Sequence, residues 1–280
     1  MVVAEIRPSP IAGIWYEANP QRLSRLVDGF MDAAELPPLT GHPLAVIAPH
    51  AGHRYSGPVA GYAFAAVRGL TPEVVAVIAP MHHPYPSPLL TTAHRAYGTP
   101  LGVLSVHQPL LDALDEKLKQ RLGFGLKPIA NDPEHSLEIE LPFLQRALPS
   151  TFSLLPVMVR TQNPETCLIL GQALAETLSG RNALLVGSTD LSHFYNAETA
   201  QQLDRTMLAQ VEAFSPEGVL EVAEQGKGEA CGLGALAAVL WAAKWLGGKS
   251  VKVLRYATSG DVTGDLQSVV GYGAAVVLRD

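Results

Sequence analysis

A chain of 280 residues in which 48% are apolar and only 16% are charged can bury a sizeable core. Its net charge is −6, and its Lys and Arg residues are scattered rather than clustered, so a nucleic-acid-binding surface, which normally carries a basic patch, is disfavoured. The composition is that of a folded globular protein rather than a disordered one.

The start of the chain lacks the basic segment and long apolar run that are typical of a signal peptide. The longest apolar stretch, residues 233–246, contains Lys244 and is too short to cross a bilayer. Two cysteines cannot form a disulfide framework, which favours a reducing compartment. We therefore expect a cytoplasmic protein that has no membrane partner.

The first third of the chain predicts a strand–helix–strand unit. A helix is expected to start near Asn19, before two short apolar runs at residues 45–48 and 74–79. Between these runs, Gly57-Pro58 opens a pattern of small residues that is typical of a helix packed closely on a sheet. Such a unit is parallel and right-handed in most proteins.

The rest of the chain continues this alternation of strand and helix signals. Residues 84–108 are rich in Pro, Gly, Thr and Tyr and predict a hairpin. Further strands are predicted at residues 153–159, 183–187, 250–256 and 268–278. Helical spacings lie between them, mainly at residues 110–122, 164–178 and 198–246. Because no clear linker interrupts the pattern, we expect a single α/β domain over residues 1–280.

Three of the predicted strands end in histidine, a residue that no strand needs for packing. His50 follows the first strand, His82 and His83 follow the second, and His193 follows the strand at residues 183–187. In open α/β sheets, ligands bind outside the carboxyl ends of the strands, where loops converge. Neutral imidazoles from separate segments are typical ligands of Zn, Fe and Cu. The pattern predicts one shared pocket, with either a metal site or unrelated histidines lining it.

The two cysteines differ in their surroundings. Cys231 lies in a glycine-rich turn just before a predicted helix at residues 235–246, where the helix dipole and free backbone N–H groups favour a thiolate. We expect it to be a ligand or a nucleophile. Cys167 lies within the apolar pattern of a helix and is expected to be a buried core thiol.

Acidic residues next to these histidines leave alternatives open. Asp190 precedes His193 by three residues, so it could orient an imidazole, bind a metal or cap the following helix. The sequence Glu134-His135-Ser136 forms a second polar cluster. A helix cap explains this cluster at least as well as a catalytic role does.

Other aromatic and imidazole residues have a structural explanation. Trp15 and Tyr16 follow a segment of turn residues, where packing at the start of the chain is favoured over a role as a pocket wall. His42, His94 and His107 are isolated and are expected to be solvated or hydrogen-bonded loop residues.

Six segments extend in order from Arg7 almost to the end of the chain: RPSPIAGIWY, IAPHAGHRYSG, MHHPY, EHSLEIELPFL, STDLSH and EACG. Their order and spacing resemble the Memo family, whose prokaryotic members occur beside radical-SAM and AMMECR1-type proteins, the partners that the resemblance implies. The fold of that family is similar to the class III extradiol dioxygenases. The resemblance therefore implies a mixed, largely parallel central sheet with helices on both faces.

Carried over residue by residue, the resemblance implies metal ligands at His50, His82 and Cys231, with Asp190 and His193 in the same pocket. In the related dioxygenases, two His and a Glu bind non-haem iron and another His is the acid/base. Cys231 would stand in place of that Glu, and His193 in place of the acid/base His. A thiolate suits zinc or copper as well as iron.

Two positions depart from the family pattern without removing a ligand. His53 stands where family members commonly have Tyr, and the segment APMHH replaces the usual GPxHH. We expect His53 to be a solvent-facing turn residue, with a fourth metal donor as the alternative.

The leading hypothesis is a dioxygenase-like redox enzyme with one metal ion, iron being expected and zinc or copper the alternatives. His193 would move protons, and Asp190 would set its tautomer. The expected substrate-binding residues are Tyr55, His83, Tyr85, Trp15 and His135. One alternative is a module that binds a small molecule or peptide without turnover, and another is a zinc-dependent hydrolase.

Overall fold

The computed structural model of the protein describes residues 4–280. The strands in this range are β1 (Ile6–Arg7), β2 (His42–Ala48), β3 (Val74–Pro80), β4 (Leu89–Thr92), β5 (Ala96–Thr99), β6 (Gly102–Ser105), β7 (Lys127–Ile129), β8 (Ser153–Val159), β9 (Ala183–Ser188), β10 (His193–Tyr195), β11 (Ser250–Thr258) and β12 (Val269–Arg279). The α-helices are α1 (Pro20–Asp32), α2 (His53–Ala65), α3 (Gln108–Leu122), α4 (Leu141–Ala147), α5 (Pro164–Leu178), α6 (Ala197–Glu212), α7 (Pro216–Glu224), α8 (Leu233–Trp245) and α9 (Gly260–Thr263). A 3₁₀ turn at Glu138–Glu140 precedes α4.

The larger sheet has the strand order β10-β12-β2-β9-β3-β8-β4-β7, and β11 also pairs with β12. Its centre is parallel, because β2, β9, β3 and β8 all run in the same direction. Antiparallel pairs flank this centre, β12 with β2 on one side and β4 with β8 on the other. The prediction of a mixed sheet with a parallel centre is therefore confirmed. The carboxyl ends of β2, β9 and β3 lie next to each other at one edge.

Helices cover both faces of this sheet, which explains why its central strands are continuous apolar runs rather than alternating ones. Ala45 and Ile47 of β2 belong to the core that α3, α5 and α8 form on one face. Val46 and Ala48 point the other way, into the core that α1, α2 and α4 form. The expected α/β layering is confirmed.

The start of α2 differs from its prediction. The helix begins at His53, four residues before Gly57, and Pro58 lies inside it. Glycine is required at Gly61 because α1 approaches closely: a Cβ atom there would lie 2.4 Å from the carbonyl oxygen of Phe30. The predicted hairpin is present as the antiparallel pair β5–β6, which forms a small second sheet with β1.

Across residues 4–280, no helix combines the length and the apolar character that crossing a membrane would need.

Candidate metal centre

Three histidines meet beyond the carboxyl ends of β2 and β3. His50 follows β2, His82 follows β3, and His135 comes from the loop between β7 and the 3₁₀ turn. One ring nitrogen of each lies within 4.8 Å of the corresponding nitrogens of the other two. The ring centroids of His82 and His135 are 4.9 Å apart, and that of His50 lies 5.2 Å from His82 and 5.5 Å from His135. The group could hold one metal ion.

Glu134 lies beside two of these three rings and is hydrogen-bonded to one of them, His82. Its Oε1 lies 3.0 Å from Nδ1 of His82 and 3.2 Å from Nδ1 of His135. The same carboxylate accepts the backbone N–H groups of His82, His135 and Ser136 at 2.6, 2.9 and 3.0 Å. An imidazole that donates from Nδ1 keeps its lone pair at Nε2, which is how metal-ligating histidines are usually held. Glu134 therefore orients the cluster, a role that neither a helix cap nor a catalytic group describes.

The charge state of Glu134 suits this role. Burial opposes ionisation, but the hydrogen bond and charge interaction with His82, together with backbone N–H donors, hold the pKa of its carboxyl well below the usual range. The side chain is therefore a carboxylate and accepts every one of these bonds.

His50 is oriented by a different chain of buried groups, which starts at the end of β9. Its Nδ1 lies 2.9 Å from Oγ of Ser188, which lies 2.8 Å from the carbonyl oxygen of Ser136 and 2.7 Å from Oε1 of Glu140. Burial raises the pKa of Glu140 well above its usual value. Ser188 has one hydroxyl proton, which it donates to Ser136 or to Glu140, so its oxygen accepts from Nδ1 of His50. The lone pair of His50 then lies at Nε2.

Burial also sets the protonation state of the rings. It is the main cause that lowers the pKa of His50 well below 6.5, and the neighbouring rings of His135 and His82 add to the effect. Burial likewise lowers the pKa of His135 to about 4. Both rings are neutral near pH 7, the form that binds metal ions.

Cys231 reaches the cluster through His50. Its Sγ lies 3.1 Å from Nε2 of His50 and accepts the backbone N–H of Asp190 at 3.3 Å. Its position just before α8 is as predicted. The expected stabilisation of a thiolate is not found, because burial, followed by the charge of Asp190, raises the pKa of the Cys231 thiol. Among the residues that the structure describes, the group of mutually close ligand atoms includes His135 rather than Cys231. Cys167 is fully buried, as predicted.

The expectation that Asp190 sets the tautomer of His193 is wrong. Nδ1 of His193 donates to the carbonyl oxygen of Leu191 at 2.8 Å, so this carbonyl sets the tautomer. Asp190 instead accepts the backbone N–H groups of His50 and Ala51 at 2.7 and 3.3 Å and holds the turn after β2. Burial raises the pKa of Asp190 to about 7 and lowers that of His193.

The residues expected to bind substrate fall into two groups. Trp15 stacks on His135 with ring centroids 3.9 Å apart, and Tyr55 lines a cleft together with Trp15. The proposed pocket-wall role of Trp15 thus fits better than a plug, whereas Tyr16 is buried. His83 and Tyr85 are half-buried beyond β3 and lie outside both the cluster and this cleft in the described part of the chain.

The expectation for His53 is also wrong. This side chain is 1% exposed, and its Nε2 donates to the carbonyl oxygen of Ile139 at 3.0 Å. Burial lowers its pKa to about 4. The residue packs α2 against the 3₁₀ turn instead of facing solvent.

The site is supported by buried charges that the sequence patterns did not reveal. Arg7 is 2% exposed and binds the carboxylate of Asp132 through Nε at 3.0 Å, the carboxylate of Glu138, and the carbonyl oxygen of Glu134 at 2.8 Å. It thereby ties the start of the chain to the loop that carries His135. One signal was available: glutamates alternate with Leu and Ile in the segment LEIEL, a pattern that indicates buried acids.

Comparison with known proteins identifies the family of this chain. Residues 7–276 match the family described as "Memo-like protein". A MEMO1 family protein of Methanopyrus kandleri is 33% identical over 283 residues, covering 98% of this chain and 99% of the relative. One from Methanothermobacter thermautotrophicus is 35% identical over 277 residues, covering 95% and 98%. One from Nitrosopumilus maritimus is 32% identical over 276 residues, covering 96% and 98%. The chain therefore belongs to the Memo-like protein family.

Proposed function

We propose that this protein is a metal-dependent redox enzyme, with non-haem iron as its metal, that acts on a small organic substrate. The observation that supports this most is the cluster of His50, His82 and His135, in which hydrogen bonds to buried oxygen atoms hold the rings of His50 and His82. Nitrogen donors beside a thiol suit a first-row transition metal, whereas calcium and magnesium take oxygen ligands. The residues present therefore fit the proposed ion.

His50 and His82 would hold the ion. Two residues compete for the third position: Cys231, which the family resemblance implies, and His135, which the distances between ligand atoms favour. A bound iron supplies redox chemistry with dioxygen at this place.

His193 would accept a proton from the substrate. Its Nδ1–H donates to Leu191, so Nε2 carries the free lone pair, and burial keeps the ring neutral by lowering its pKa. A neutral imidazole with one free nitrogen is a general base for a substrate hydroxyl group. Asp190 contributes by positioning His50 rather than by proton transfer.

The test is metal content after anaerobic purification and iron reconstitution, combined with oxygen uptake on candidate phenols. We expect about one iron per chain in the wild type and loss of that iron in His50→Ala. Comparing His135→Ala with Cys231→Ser identifies the third ligand, and Cys167→Ala, which removes the buried thiol of α5, is the matched control for Cys231→Ser.

Three outcomes would overturn the proposal. A wild type that takes up no metal would favour the binding module. Iron that is bound without oxygen uptake on any phenol would remove the redox assignment. Ester or amide cleavage that requires zinc and proceeds without oxygen would favour the hydrolase.

A further inference from the structure

A cleft of about 570 Å³ opens beside the histidine cluster. Half of the twelve residues that line it are aromatic or branched aliphatic, namely Ile14, Trp15, Tyr55, Phe194, Val270 and Tyr272. A cleft of this size and composition is typical of a site for a small organic molecule.

The cleft and the cluster share structural elements. The Trp15 ring that lines the cleft stacks on His135 at a centroid distance of 3.9 Å. Ala51, in the wall, directly follows His50. Phe194 follows His193, with 5.6 Å between the two ring centroids. The cleft therefore borders the histidines through Trp15, Ala51 and Phe194.

Phe194 is held in the cleft wall by an unusual backbone conformation. Its φ angle is +66°, in the left-handed region that is unfavourable for an aromatic residue. The pairing of β10 with β12 shifts register between His193 and Tyr195, so a bulge turns Phe194 outward. Its side chain is 74% exposed, so core packing does not explain the strain. Strained residues of this kind cluster at ligand-binding sites.

The charges around the cleft select against anions. In the part of the chain that the structure describes, Asp265 is the one charged residue that lines the cleft. The guanidinium of Arg54 lies 5.7 Å from the centroid of the Tyr55 ring and is not part of the lining.

We propose that this cleft binds the uncharged aromatic body of the substrate, with Phe194 as a specificity-determining residue. The substrate class is then a ring compound whose hydroxyl end points to the histidines and whose other end carries no anionic group. This rests on the proposed function for the reacting end, whereas the cleft would bind the aromatic body whether or not turnover follows.

The test is calorimetric titration of the full-length protein, as purified, with two phenols that differ only at the end expected to lie in the cleft. These are 4-ethylphenol and the anionic 3-(4-hydroxyphenyl)propanoate. We expect the anion to bind at least about tenfold more weakly, because it must be desolvated in a cleft whose one charged lining residue in the described part of the chain is Asp265. Phe194→Ala should weaken binding of 4-ethylphenol by about fivefold, the value of one aromatic contact.

Two controls separate loss of the ring from loss of the fold. Trp245→Ala removes an exposed aromatic side chain at the end of α8 and should leave affinity unchanged. Phe194→Gly removes the ring and also relieves the backbone strain, so it should be at least as heat-stable as Phe194→Ala yet bind equally weakly.

The proposal is overturned if the anion binds as tightly as 4-ethylphenol, or if both Phe194 variants keep wild-type affinity. Oxygen uptake is measured on the same samples. Normal, Phe194-dependent binding without any uptake would remove the redox function and leave the cleft assignment standing. Oxygen uptake that proceeds equally fast with both phenols would remove the cleft assignment and leave the redox function standing.

Discussion

Replacing Glu134 should disable the cluster without touching a ligand. Its carboxylate accepts hydrogen bonds from Nδ1 of His82 and from three backbone N–H groups, and it lies 3.2 Å from Nδ1 of His135. In Glu134→Ala, His82 loses the partner that fixes its tautomer and direction, and the loop that carries His135 loses an acceptor. A partner of this kind typically contributes about 10–100-fold to metal affinity, and we expect a loss in that range.

The same change also affects folding. Each buried donor that loses its acceptor costs about 1–3 kcal/mol, so the free energy of unfolding should fall by several kcal/mol. Glu134→Gln keeps one acceptor oxygen and loses the charge, so we expect an intermediate loss of metal affinity, on the order of tenfold.

The assay is competition between protein and a chelating dye for iron or zinc near pH 7, with urea unfolding of the metal-free protein alongside. Glu176→Ala is the control, because this half-exposed carboxylate forms ion pairs with Lys117 and Arg121, contacts worth about 0–1 kcal/mol. If folded Glu134→Ala keeps wild-type metal affinity, the orientation of His82 by Glu134 is refuted.

Two further predictions concern stability. The pKa values of buried His53 and His135 are lowered from 6.5 to about 4, so the unfolded chain takes up these protons first. Each ring therefore lowers stability by about 1.4 kcal/mol per pH unit as the pH drops from 6.5 toward 4, while the raised pKa of Asp190 acts in the opposite direction over the same range. The contribution of His53 is measured as the difference between the wild type and His53→Phe, whose stability should fall less steeply with pH, and parallel urea midpoints for the two proteins would contradict this. Arg7→Met leaves two buried carboxylates without their cation and should cost about 3–5 kcal/mol in urea unfolding. Exposed Arg22→Met should cost little, and equal midpoints for the two variants would disprove the role of Arg7.

The fold was largely predictable because its central strands are continuous apolar runs in the sequence. Residues 45–48 and 74–79 are continuous rather than alternating, since helices cover both faces of the sheet. The start of α2 was not predictable, because its first turn is fixed from outside. The backbone N–H of His53 donates to the carbonyl oxygen of Trp15, and its ring donates to Ile139.

The histidine cluster was likewise predictable in part. Parallel strands bring their carboxyl ends to one edge, so the sequence alone placed His50 and His82 together. It could not place His135, because the position of that ring depends on Glu134, which contacts His82 across 52 residues of chain.

Protonation was decided by tertiary structure throughout. A local rule predicted a lowered pKa for Cys231 at the start of α8, and burial reversed it. Another local rule predicted that Asp190 sets the tautomer of His193, whereas the carbonyl oxygen of Leu191 sets it in the structure. Sequence patterns report which residue types lie at the strand ends. Burial and long-range partners set the charge and direction of those residues, and both exist only once the chain has folded.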